Sequence, residues 1–167
     1  MYDVVIIGAG AAGLSAAIYT CRRKLKTLVI SLDKGGQTLL TTHIENYPGF
    51  NTEHGVNLMK IFEEQAKQEG AEIVMGRVIK LDKINNKFIT TLSNNEEYES
   101  KTVILAYGKV PAQLNVSGED KFAGRCIHIY AIYDAPLYKD KIVAVIGGAN
   151  SALDSTLILS KYAKKIF

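Results

Sequence analysis

The sequence predicts an α/β, Rossmann-like three-layer fold with a small antiparallel β element, followed by the start of a second Rossmann-like unit. Three observations predict it. Val4 to Ile7 is a continuous apolar run, the pattern of a parallel strand covered on both faces. That run enters a glycine-rich turn, Gly8-Ala9-Gly10-Ala11-Ala12-Gly13, which opens a helical stretch. The same order of strand, small residues and helix returns in KIVAVIGGANSALDSTLIL, about 140 residues later.

Each element follows in order. A helix is expected from about Ala11 to Arg23, and TLVISL, Thr27 to Leu32, is a second β-type run. Together with the first strand they have the length of a βαβ unit. DKGGQTLLTTHIENYPGF is rich in glycine and threonine and predicts an irregular segment. An irregular stretch of that length inside a domain is usually functional. His54 to Glu69 predicts a helix, with Val56, Met59, Phe62 and Ala66 on one face and Gly70 just past its end. Short strands are then expected at AEIVMG, RVIKLDK, KFITTL and EEYES, with Asn85-Asn86 and Asn94-Asn95 suited to hairpin turns. KTVILAYG reads as a further buried strand. A lone strand and helix cannot bury a core. The second unit is therefore expected to be only begun by Phe167, as in a fragment, a split gene product or a truncated reading frame.

The bulk numbers narrow the class. The 167 residues are 47% apolar and 22% charged, close to the globular average, so disorder is not expected. Net charge is +3 with acidic and basic residues interspersed, so no nucleic-acid or membrane partner is inferred. Two cysteines far apart, Cys21 and Cys126, argue for a reducing setting rather than a disulfide scaffold. The apolar start is too short and too glycine-broken to span a bilayer, and no signal peptide is read, so a cytoplasmic location is expected.

The chemistry sits in the glycine turns. Gly8 allows the tight turn, Gly10 lets backbone approach a pyrophosphate, and Gly13 lets helix and strand pack closely. Ala11 and Ala12 open the helix, whose free N–H groups and dipole hold phosphate oxygens. The ribose-binding carboxylate is expected about 20 residues later, at the end of the second strand. Asp33 is the candidate there, with a solvated loop aspartate as the bland alternative. The second turn offers Gly147, Gly148, Ser151 and Ala152 as binding positions. Ala149 adds a methyl where backbone would approach a pyrophosphate, so binding at this second turn is expected to be weakened or lost.

Taken together, GAGAAG, DKGGQ, ENYPGF, ILAYGKVP, NVSGEDKFAGR and VAVIGGANSALDS occur in the order and spacing of the low-molecular-weight thioredoxin reductases. The chain resembles that family over essentially its whole length. The resemblance implies a Rossmann-like FAD-binding three-layer fold interrupted by an inserted NADPH domain. Residues 1–112 would be the N-terminal part of the FAD domain, 113–140 a connecting segment, and 141–167 the incomplete start of the NAD(P)H domain. It implies that Gly8, Gly10 and Gly13 take the FAD pyrophosphate, and that Asp33, Gly36 and Gln37 lie along the adenosine and ribityl portion. It places Asn46 near the isoalloxazine ring, Val78 near the adenine, and Ala106 and Gly108 beside the cofactor. It also implies a homodimer for a full-length protein. The family's C-terminal return segment and the basic cluster that selects a 2′-phosphate would both follow Phe167, so the choice between NADPH and NADH is not readable.

The departures carry as much weight. The family's Ala-Thr-Gly reads Ala106-Tyr107-Gly108 here. Its redox motif, Cys-Ala-x-Cys-Asp, falls on Tyr130-Ala131-Ile132-Tyr133-Asp134. A phenol cannot make or break a disulfide by exchange, so thioredoxin reduction through this motif is excluded on that alignment. Either the tyrosines fill the space of lost cysteines, or they cover a flavin that passes electrons elsewhere. Cys126 and Cys21 are read as small structural side chains. His128, two residues from Tyr130, is expected on a strand and is a candidate for the flavin face, with Asp134 where the family keeps a proton-transfer aspartate. His43, His54 and His128 have no metal-ligand spacing, and no metal is expected. Lys161, Lys164 and Lys165 read as a solvated helix end.

The expected function is that of an FAD-dependent oxidoreductase without the cysteine pair. Electrons would pass through the flavin between NAD(P)H and a non-thiol acceptor such as a ferredoxin-like protein. The alternatives are a non-catalytic flavin- or nucleotide-binding module or redox sensor, and an inactive fragment.

Overall fold

β1, Tyr2–Ile7, is the central strand, and its alternation explains the layers on either side. Val4 and Ile6 face helices α1 (Ala11–Arg22) and α2 (Gly55–Gln68), packing with Leu14, Ala17, Cys21, Met59 and Ala66. Val5 and Ile7 face the other way, onto Leu28, Ile30 and Leu92. A period of two thus makes one strand serve two cores. The computed structural model describes residues 1–41, 43–51, 53–110 and 112–167, and the backbone alone at Tyr133.

The six-stranded sheet has the order β3-β2-β1-β6-β5-β4, with β2 (Thr27–Ser31), β3 (Glu72–Met75), β4 (Val78–Ile84), β5 (Lys87–Leu92) and β6 (Glu97–Leu105). β1, β2, β3 and the second half of β6 run parallel, while β4, β5 and the first half of β6 form an antiparallel meander. Val78 and Tyr98 pack with Leu92 on the face opposite the helices, so the meander supplies the third layer. The α/β three-layer expectation is borne out.

Three local readings change. EEYES and KTVILAYG are one strand, β6, which pairs with β5 through Phe88–Ser100 and with β1 through Tyr2–Ser100. No turn separates them because the strand exchanges partners without leaving the sheet. AEIVMG, β3, joins the parallel edge through Leu28–Glu72 rather than the hairpins. On α2, Gly55, Leu58, Met59 and Ala66 are buried, and Val56 is exposed. The asparagine turns form as expected, with left-handed Asn85, Asn86 and Asn95.

The chain divides into two units, Met1–Val110 and Pro111–Phe167. In the second, two short helices, α3 (Glu119–Phe122) and α4 (Ala131–Asp134), precede β7 (Ile142–Val143), α5 (Asn150–Leu159) and β8 (Lys165–Ile166). β7 and β8 pair in parallel, and the ladder continues through Val145 N–H to Phe167 C=O at 2.9 Å. The strand, turn and helix that the repeat predicts are present, and β8 adds a parallel strand that the sequence reading did not include. Among the described residues no helix is long and apolar enough to cross a membrane.

Candidate dinucleotide site

In an open parallel sheet, ligands bind beyond the carboxyl ends of the strands, where successive connections diverge. From β1 the chain passes through α1 to β2 and then β3 on one side, while β6 lies on the other. The divergence therefore falls between the ends of β1 and β6, at Gly8 and Ala106.

The three glycines of this turn have different reasons. Gly8 has φ +111°, and a Cβ there would lie 2.3 Å from the Ala106 carbonyl oxygen. A Cβ on Gly13 would lie 1.8 Å from the Gly8 carbonyl oxygen. Both positions are closed by the protein itself. A Cβ on Gly10 would meet nothing nearer than the Gly35 carbonyl oxygen, at 3.8 Å. The protein would tolerate a methyl there, and the space it would fill is the approach a pyrophosphate needs. Gly10 also caps α1 without a side-chain hydrogen bond, and no acidic residue occupies the first turn. The leading N–H groups of the helix, at exposed Ala11 and Ala12, lack intrahelical acceptors and present the positive end of the dipole. The residues present fit a dinucleotide.

The loop after β2 closes the far side. Ser31 Oγ accepts the Ala9 N–H at 3.0 Å, tying the end of β2 to the glycine turn. Asp33 Oδ1 accepts the Gly36 N–H at 2.6 Å, which folds the loop back so that Gly36 sits over Gly10. Gln37 Nε2 donates to the Lys109 carbonyl, joining this loop to the one that follows β6. Asp33, Gly36, Gln37, Ala106 and Gly108 are thus gathered around Gly8–Gly13. Asn46 is exposed in a bend held by the Ile44–Glu53 bridge, and Val78 is half-buried at the start of β4. Sequence reasoning missed the Gln37–Lys109 clasp. The signal was that the segments DKGGQ and YGK each follow a parallel strand of one sheet.

The second unit holds a different cluster. His128 is not on a strand: it follows the turn closed by Ala123 and Ile127, because the chain reverses there before α4. Its Nδ1 lies 3.0 Å from Asp134 Oδ2, with both side chains largely covered. Tyr138 meets the imidazole edge-on at 5.5 Å between centroids. Burial pushes the Tyr138 phenol up, and the charge of Asp134 adds to it, followed by Cys126. Cys126 is exposed, so it is not a core side chain, whereas Cys21 is buried in the core as expected. Tyr130 precedes α4 and, 40% exposed, lines a shallow pocket of about 300 Å³ with Ile129, Ile132, Asp154, Ser155 and Ile158. The Tyr133 side chain lies outside the described residues.

At the second turn Gly147 has φ +133°, Gly148 has open space around it, and Ala149 precedes α5. Ser151 is exposed and Ala152 half-buried in its first turn.

Fold and turn together define an α/β protein of the Rossmann-like, dinucleotide-fold type. The chain belongs to the pyridine nucleotide-disulphide oxidoreductase family, which matches residues 2–167. The thioredoxin reductase of Treponema pallidum (strain Nichols) is 41% identical over 167 residues, covering 99% of this chain and 54% of the relative. The crystal structure of thioredoxin reductase from Streptococcus pyogenes MGAS5005 matches with a TM-score of 0.85 at 34% identity, over 99% of this chain and 54% of that one. A ferredoxin-flavin thioredoxin reductase from Clostridium acetobutylicum matches with a TM-score of 0.59 at 33% identity, over 99% and 57%. The thioredoxin reductase resemblance is borne out, and the chain spans about half the length of the relatives it matches.

Proposed function

We propose that this chain carries the FAD-binding part of an NAD(P)H-linked flavin oxidoreductase that delivers electrons to a non-thiol acceptor. The observation that carries the FAD assignment is the open Cβ position of Gly10 between two glycines that the fold itself requires. Gly8, Gly10, Ala11, Ala12 and Gly13 would hold the pyrophosphate. Asp33 would bind ribose hydroxyls through its remaining carboxylate oxygen, with Gly36 and Gln37 beside it. Ala106, Gly108, Asn46 and Val78 would line the rest of the cofactor. Bound FAD supplies hydride acceptance and electron release that no side chain here can provide.

Residues 1–112 are assigned to the FAD domain, 113–140 to a connection, and 141–167 to the start of an NAD(P)H domain. Gly147, Gly148, Ser151 and Ala152 would face the nicotinamide nucleotide, with Ala149 reducing its affinity. The non-thiol acceptor rests on Tyr130 and Tyr133 standing where the resemblance expects cysteines. A ferredoxin-like carrier suits a flavin without a dithiol. The name of the Clostridium acetobutylicum protein joins ferredoxin to a flavin thioredoxin reductase, which supports a ferredoxin-like partner for this fold. A homodimer and a cytoplasmic location belong to the same proposal. A second reading, a flavin-binding sensor or module without turnover, is favoured specifically by Ala149.

The visible spectrum of the purified chain with added FAD tests the cofactor. A flavin spectrum perturbed on binding is expected, and a protein that takes up no FAD refutes both readings. Anaerobic titration with NADPH and NADH separates them, because bleaching supports the oxidoreductase and its absence leaves the sensor. Turnover in a thiol-reductase assay would overturn the non-thiol acceptor.

A further inference from the structure

Tyr107 is the aromatic residue of the dinucleotide crevice that no assignment above uses. It lies two residues past β6, is 71% exposed, and its Cα would lie 2.9 Å from a Cβ on Gly8. Its backbone therefore abuts the glycine turn while its ring is left to solvent. A tyrosine ring carries a large apolar face, and leaving it bare at a strand end forgoes that burial.

The topology says which part of a ligand would cover it. The acidic residue that meets the adenosine ribose stands after β2, and here that is Asp33. The adenosine half of a dinucleotide then lies over the β2 side of β1, with the pyrophosphate over Gly8–Gly13. The remaining half must leave on the opposite side of β1. The neighbour there is β6, joined to β1 through Ile7–Leu105, and the first side chain past β6 after Ala106 is Tyr107. Lys109, two residues on, is clasped by Gln37, which fixes the segment that carries the tyrosine.

We propose that Tyr107 is an aromatic platform for the ribityl–isoalloxazine half of the bound dinucleotide, positioning the flavin and quenching its fluorescence. The inference rests on the FAD assignment and deepens it. Threonine, the residue of the resembling family at this position, has no such face.

The test titrates the purified chain, Tyr107→Thr and Tyr107→Phe with FAD and, separately, with ADP, which carries only the adenosine and pyrophosphate. Affinity is read by calorimetry, and flavin emission is read at saturation. With Tyr107→Thr, FAD affinity should fall about three- to tenfold, from loss of an aromatic contact, while ADP affinity stays unchanged. Bound flavin should become brighter. Tyr107→Phe should keep FAD affinity but also brighten, because a phenyl ring stacks without donating an electron to the excited flavin. Equal FAD affinity and emission in all three proteins overturns the inference while leaving the FAD assignment standing. An equal loss of ADP and FAD affinity in Tyr107→Thr also overturns it, since the ring would then act on the turn rather than the flavin half. Failure of the unaltered chain to bind either nucleotide removes the FAD assignment itself, and the inference with it.

Discussion

A Cβ on Gly13 would lie 1.8 Å from the carbonyl oxygen of Gly8, inside any permitted contact. The first turn of α1 is therefore pressed against the end of β1, and the fold alone requires that glycine. Gly10, between them, is free of any such contact. Gly13→Ala should cost more than about 3 kcal/mol of stability, a loss expected where backbone must move. Gly10→Ala should stay within about 1 kcal/mol of the unaltered protein while FAD affinity falls by at least about tenfold. Urea unfolding beside FAD titration checks both. A Gly10→Ala variant with full FAD affinity would refute the role given to that position.

Asp33 has one observed contact and one proposed role, which substitution can separate. Its Oδ1 accepts the Gly36 N–H at 2.6 Å, and its charge is assigned to ribose. Asp33→Asn retains an acceptor for the turn, so stability should hold while FAD binding weakens. Asp33→Ala should lose binding and a further ~1 kcal/mol of stability from the lost hydrogen bond. Thermal melts with and without FAD distinguish the two.

Alkaline pH should weaken the first unit through Tyr2. Its phenol donates to Glu72 Oε2 at 2.5 Å, and burial, then that hydrogen bond, push its pKa from 10.0 up to about 12. A group whose folded pKa is raised contributes stability that is present below its unfolded pKa and lost as pH rises through the folded value. Denaturant unfolding should therefore show stability falling as pH climbs from 10.0 toward about 12. Tyr2→Phe should remove that part of the slope.

Asp134 is expected to hold down ionisation of Tyr138. Burial is the larger cause of the raised phenol pKa, and the carboxylate charge is the next. Asp134→Asn should therefore bring Tyr138 ionisation to lower pH without returning it fully to the ordinary range. Ultraviolet titration checks this, with Tyr138→Phe identifying that signal among nine tyrosines. An unchanged Tyr138 titration in Asp134→Asn would refute the electrostatic contact. The same substitution replaces the carboxylate that meets His128 at 3.0 Å with a neutral amide.

Most of the first unit was legible because its signals are local. An apolar run, a glycine spacing and paired asparagines each restrict backbone or burial within a few residues. β1, α1, β2, α2 and both hairpin turns accordingly lie where periodicity and turn chemistry put them. The misread elements depended on partners distant in sequence. β6 looked like two strands because its pairing changes from β5 to β1 at Ser100 with no break in the chain. His128 follows a local turn rather than lying on a strand, because Ala123 and Ile127 bridge just before it. Cys126, read as a small structural side chain, is exposed in the turn between Ala123 and Ile127.

The candidate site divides in the same way. By itself the sequence determined the Rossmann-like class, the three glycines of the turn, Asp33 as the candidate acidic residue after β2, and tyrosines at 130 and 133. Those are statements about residue type and spacing. Only the tertiary structure decided that Gly8 and Gly13 are closed by the protein while Gly10 is open. It also decided that Gln37 reaches Lys109, and that Tyr107 stands bare on the side of β1 opposite Asp33. The physical reason is that strand order sets which chain ends converge. Hydrogen-bonded pairing between β1 and β6, nearly a hundred residues apart in sequence, is invisible to any local pattern.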